Sequence, residues 1–151
     1  MAQGTLTLFE EFADQIGEKE HDFGVDTMKV ALITTIPVAT QATPTLATYT
    51  EVTGTNYTAG GEAIEDPGGG GVGTYTEVDG VATFDAANIT WSQNAAGPAT
   101  IKAALLYNST HASDMAWGFI DMTADGSTPI SLIDGDITIT WHGSGIFTVT
   151  V

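Results

Sequence analysis

The chain has 151 residues, 42% of them hydrophobic, with 19 acidic side chains against three lysines and a formal charge of −16. That balance excludes sequence-independent nucleic-acid binding, which needs lysine or arginine to neutralise phosphates, and it disfavours an anionic membrane surface. The absence of cysteine removes disulfides and thiol chemistry, and no apolar run approaches the ~18 residues of a membrane span.

This length fits one domain with a real core. Met1-Ala2-Gln3-Gly4 lacks the charged and apolar regions of a secretory signal, so folding in a cytoplasm is expected. Residues 1–26 read as an N-terminal arm dense in acids: Glu10, Glu11, Asp14, Glu18, Glu20, Asp22 and Asp26. Thr7-Leu8-Phe9-Glu10 fits a capping box, and Leu8, Phe9, Phe12 and Ile16 make one stripe of a short helix ending at Gly17. About ten residues are too few for a helix to stand alone. The stripe must lie on this domain or on a neighbouring subunit, and its four residues are the candidate partner-binding residues.

From residue 27 to 151 the period is two, the mark of half-buried strands. Thr27–Thr34 is the first strand and Leu46–Val52 the second, with a loop from Pro37 to Pro44 between them and Tyr57-Thr58 opening a third element. Thr48-Tyr49-Thr50-Glu51-Val52-Thr53-Gly54 returns as Thr74-Tyr75-Thr76-Glu77-Val78-Asp79-Gly80. This is either two similar strand ends or coincidence in a threonine-rich chain. Between the copies, residues 59–73 include Gly68-Gly69-Gly70-Gly71 and read as a mobile surface loop. It lacks the Lys-Ser/Thr ending of a phosphate-binding loop. Further strands follow at 81–84, 89–91, 101–107, 115–122, 136–141 and 146–151, with Trp141 to Ile146 read as a hairpin. The expected fold is all-β: a single β-sandwich or jelly-roll-like domain behind the N-terminal arm.

Little in the sequence converges on catalysis. His21, His111 and His142 stand apart, with no metal-ligand spacing. Gly143-Ser144-Gly145 lacks the flanks of a nucleophile elbow. Asp134-Gly135-Asp136 lacks the full spacing of a calcium loop and is turn chemistry. Three glycosylation sequons, at Asn56, Asn88 and Asn108, match what chance gives so many threonines. Trp91 and Trp141 alternate with strand period, as core residues do. No catalytic residue, cofactor or metal is expected.

Several segments resemble a family of small virion proteins of tailed bacteriophages. They are Thr27-Met28-Lys29-Val30-Ala31-Leu32, Leu46 to Val52, Tyr57-Thr58-Ala59-Gly60-Gly61, Thr83 to Trp91, Ala104 to Asn108, and Gly135 to Trp141. The resemblance implies a capsid decoration (cement) role on the virion surface. The implied partners are the major capsid protein and further copies of the chain, as a homotrimer. No functional residue carries over, because such proteins act through surfaces. The alternative is a host-recognition module on the tail or capsid, for a carbohydrate or receptor, which needs exposed aromatics such as Trp117, Tyr57 and Tyr75.

Overall fold

The computed structural model describes residues 4–150. Met1 to Gln3, and Val151 at the end of the last expected strand, lie outside the described residues. The elements in chain order are β1 (Leu6–Leu8), α1 (Phe12–Gly17), β2 (Met28–Ile33), a 3-10 turn (Leu46–Thr48), β3 (Glu62–Ala63), β4 (Thr74–Val78), β5 (Val81–Asp85), β6 (Ile89–Trp91), β7 (Ala103–Asn108), β8 (Met115–Asp121), β9 (Ile137–Ile139) and β10 (Phe147–Thr150). The domain is all-β, and every strand pair is antiparallel. The strands form sheets of five (β1-β8-β7-β2-β3), three (β10-β5-β4) and two (β6-β9). This is a sandwich-like arrangement, and nothing in its strand order singles out a jelly roll.

The five-stranded sheet is buried on both faces, which explains the near-continuous apolar run of β7 (Ala103–Asn108), all of it buried. One face carries Met28, Val30, Leu32, Ala104, Leu106 and Trp117 into the main core, opposite Phe84, Ile89, Trp91 and Ile139 of the smaller sheets. The other face carries Ala31, Ile33, Leu105, Tyr107 and Phe119, and the connection after β2 covers it with Ile36, Ala39, Leu46 and Tyr49. A bulge in β8 sets the balance. Leu106 pairs with Gly118 and Tyr107 with Ala116, leaving Trp117 as the extra residue. The bulge lets Trp117 and Gly118 both lie on the main-core side. Trp117 sits among Phe12, Phe23, Phe84 and Phe147, with ring centroids 5.3–6.3 Å away. Such aromatic pairs add about 0.5–1.5 kcal/mol each beyond the area they bury.

The structure corrects five expectations. Thr7 caps no helix: it sits in β1, opposite Phe119 of β8, and the Glu10 amide donates to the Ala39 carbonyl (2.9 Å). The alternation of Leu6 and Leu8 therefore belongs to a strand, and the helix begins only at Phe12. It ends in a Schellman motif, with the Glu20 amide on the Gln15 carbonyl, the Lys19 amide on the Ile16 carbonyl, and Lys19 in the left-handed region at φ 62°. Gly17 is the last helical residue rather than the stop. Residues 46–52 are a 3-10 turn and a single bridge from Ile33 to Glu51, because Thr45 and Thr48 satisfy each other through their side chains. The repeated segment is thus a strand only in its second copy, β4.

The fourth correction concerns residues 59–73, expected to be mobile throughout. The first half belongs to the large sheet: β3 pairs with β2, the Ile64 amide donates to the Met28 carbonyl (2.8 Å), and Ile64 is buried. Gly61 makes this possible. It sits at φ 67° with its α-carbon against the Val30 carbonyl, where a β-carbon would collide with the backbone. Ala59, Glu62, Glu65 and the run from Pro67 to Gly71 are the exposed residues of this segment. Finally, Trp141 to Ile146 makes a tight turn closed by a His142–Gly145 bridge. The strands it joins pair with β6 and β5 rather than with each other, so it is no hairpin.

Candidate functional site

The four residues expected to meet a partner are divided by the fold. Phe9 is buried beneath the second face, its ring 5.3 Å from Phe119. Phe12 is buried in the main core, against Phe23 and Phe147. Leu8 is half-buried in β1, and Ile16 is 41% exposed. The stripe therefore lies on this domain, one of the two outcomes its sequence left open. Residues 1–26 do not end in a structural break. The Asn108 side-chain amide donates to the Glu20 carbonyl (3.0 Å) and to the Asp26 carboxylate (2.7 Å), tying the segment to β7.

Two of the three aromatics that carbohydrate recognition would need are inside. Trp117 is fully buried, and Tyr57 is buried with its hydroxyl donating to Glu51 Oε1 (2.6 Å). Burial and the Glu51 carboxylate both push the Tyr57 phenol well above its ordinary range. Tyr75 alone is half-exposed, at 43%. Trp91 is buried and Trp141 half-buried, with its indole donating to the Ala87 carbonyl (2.9 Å).

Several polar groups serve the fold, while the buried Gln15 Nε2, His21 Nδ1, Tyr49 hydroxyl, Trp91 Nε1 and Trp117 Nε1 have no hydrogen-bond partner among the described residues. Glu51 also accepts from the Gly60 amide (2.8 Å), while the Tyr107 hydroxyl donates to the Gly60 carbonyl (2.7 Å). This pins the 54–61 connection over β2. His21 is buried and packs 6.3 Å from the Phe12 ring, with its Nε2 3.0 Å from Gln15 Oε1. Burial first, and the nearby His111 second, lower its pKa to about 4, so it stays neutral. His111 pairs with Glu20 at 2.6 Å. His142 is exposed and accepts from the Ser144 amide (3.1 Å) within its turn. Asp136 accepts from the Gln93 amide (2.7 Å) as a loop clamp. Among the described residues, no group of three or more His, Asp or Glu side chains could hold a metal ion, and no helix is long and apolar enough to cross a membrane.

What remains is apolar surface, gathered in two places. The first is the outer end of the three-stranded sheet. Val78 is 67% exposed and Val149 42%, in adjacent rows on the two strands that flank β5 and so on opposite faces of that end. The second is a groove of about 560 Å³ at the open side of the sandwich, between β1 and the segment from β9 to β10. Leu6, Leu8, Ile139, Trp141, Ile146 and Phe147 supply its apolar walls, and His142 is its one titratable lining residue. In a chain of net charge −16, a groove with no carboxylate in its lining is a distinct chemical environment. Sequence reasoning missed it because it is assembled from the two ends of the chain. The available signal was the unbroken neutral stretch from Ile137 to Val151. No family model, no curated protein and no solved structure matches this chain.

Proposed function

We propose that this chain is a non-enzymatic structural protein of a tailed-phage virion, a decoration protein that binds and stabilises the lattice of the major capsid protein. The observation that carries the reading is the outer end of the three-stranded sheet. Val78 and Val149 are presented to solvent by a rigid antiparallel scaffold whose inner row is anchored in the aromatic core. Exposed valines on a regular sheet suit a docking rim, while the acidic remainder keeps the free subunit soluble. The resemblance of the strand-and-turn segments to phage virion proteins supports the same reading. A lattice multiplies modest contacts, so one small rim per subunit is enough for strong retention. A homotrimer would present three such rims about one axis.

The test is co-sedimentation with capsids that lack the decoration protein, comparing the native chain with the double variant Val78→Lys, Val149→Lys. The expected result is a folded variant that stays in the supernatant. Full retention of the variant would remove the rim from the reading, and no retention of the native chain would remove the reading itself. Light scattering on the same samples measures the trimer. The host-recognition alternative needed a platform of aromatics, and Tyr75 alone is left to supply it.

A further inference from the structure

We infer that the groove beside β1 is an acceptor site for an extended peptide strand, free of acidic residues, supplied by the capsid partner. The inference rests on the capsid-binding reading and adds where and how a segment of that partner engages. Two independent features meet at the groove. One is its apolar lining. The other is a strand edge unpaired among the described residues.

β1 is the outermost strand of the five-stranded sheet. Its hydrogen-bonded positions with β8 are fixed by the Phe9 amide, which donates to the Trp117 carbonyl (3.2 Å). In an antiparallel pair such positions alternate. Thr7, opposite Phe119, is therefore also directed at β8, and the N–H and C=O groups of Leu6 and Leu8 point away from it. The side chains of Leu6 and Leu8 line the groove. A strand laid along β1 would take up the outward backbone groups of Leu6 and Leu8. Its alternate side chains would then enter the groove towards Ile139, Trp141, Ile146 and Phe147. A free lipid tail or a small apolar molecule would satisfy the lining and leave the strand edge bare.

Charge selects among peptides. β1 contains no charged residue, and no carboxylate lines the groove, yet the chain as a whole carries −16. An acidic segment, or a second copy of this chain, approaches against that field. A neutral or basic segment approaches with it. β1 has none of the devices that close an edge: no proline, no lysine, no bulge. Its three residues match a short segment, on the order of five residues, at the rise of a strand.

The experiment uses the full chain and a capped heptapeptide of alternating isoleucine and threonine with a lysine at each end. Binding is followed through the backbone amide signals in solution NMR. The expected result is that the Leu6 and Leu8 amides shift and their exchange with solvent slows about tenfold or more at saturation. The same peptide N-methylated along one edge should lose at least about tenfold in affinity, and so should the version with glutamate in place of lysine. Leu6→Pro removes an outward N–H without touching the β8 pairing and should weaken binding similarly. The peptide controls do not depend on that variant folding. Equal binding of the N-methylated peptide, shifts confined to amides away from β1, or no binding at ~1 mM each overturn the inference. Capsid co-sedimentation separates the two readings. A chain that binds the peptide but no capsid keeps the acceptor site and loses the virion role. A chain that binds capsids equally well with Leu6→Pro keeps the role and loses the site.

Discussion

The two ends of the three-stranded sheet share strands and register, yet one carries an aromatic row turned to the core and the other an aliphatic row turned to the opposite face. The row Tyr75–Phe84–Phe147 crosses β4, β5 and β10 at the inner end. The row Val78–Val81–Thr150 crosses the same strands at the outer end. Phe84 is fully buried, whereas Val78 is 67% exposed. The pleat turns the two rows to opposite faces of the sheet, and the aromatic core lies over the face of the inner row. The inner row is met by Phe12, Phe23 and Trp117, with Phe23 4.9 Å from Phe84 and 5.0 Å from Phe147. In the outer row Val78 and Thr150 are exposed and Val81 is half-buried. Burial of the inner row is thus set by rings delivered from the N-terminal segment and from the β8 bulge, while Val78 stays at the surface.

The largest test of that contrast removes the cover. Deleting residues 4–26 takes Phe9, Phe12 and Phe23 out of both core layers and strips β1 from the sheet edge, so the remaining chain should fail to fold cooperatively. Phe23→Ala is the finer version: burial among six rings predicts a loss of about 3–5 kcal/mol in a denaturant titration. Tyr75→Ala, in the row that Phe23 covers but half-exposed, should lose clearly less. Equal losses at the two positions would show that the row, rather than its cover, carries the stability.

A middle-sized effect comes from His21, which the same N-terminal cover buries. Its pKa is lowered from 6.5 to about 4, chiefly by burial. The folded chain therefore holds His21 neutral where the unfolded chain protonates it. Its contribution is fully present above pH 6.5 and is lost as pH falls from there towards 4. The total is on the order of 3 kcal/mol if the whole shift is realised. Carboxylates titrate over part of this window, so the measurement is a difference. Urea midpoints of the native chain and His21→Phe between pH 7 and pH 4.5 should converge as pH falls. Parallel curves would mean that His21 is solvated in the fold. His111, paired with Glu20 at 2.6 Å, stays in place in both chains.

Much of the fold was legible in the sequence, and the failures share a cause. Strands β2, β5, β6, β7, β8 and β10 fall within or beside their expected spans, because alternation and turn residues are local signals. The N-terminal segment was misread because Leu8, Phe9, Phe12 and Ile16 satisfy a helical spacing and a strand-then-helix spacing equally well. Only the presence of β8 beside β1 decides between them. The 59–73 loop was misread for a related reason. Glycine density signals a loop, but Gly61 is there to let the chain approach Val30 closely and start β3. For the candidate sites, the sequence indicated apolar strands and an acidic surface. It could not indicate the groove, whose walls come from residues 4–8, 120–122 and 138–147 and meet only in three dimensions.

The smallest effect is the most selective. Val78→Thr keeps a β-branched residue on β4 and exchanges one exposed methyl group for a hydroxyl at a position already 67% in water. Stability should change by less than ~0.5 kcal/mol, the range of ordinary surface substitutions. If the outer row is a docking rim, the same change should weaken capsid retention measurably, because a hydroxyl buried in an interface without a partner is penalised where a methyl group is not. A variant neutral in both measurements would place the docking surface elsewhere, and the next position to test would be the β1 edge. A variant neutral in stability and impaired in retention would separate what holds this domain together from what it holds on to.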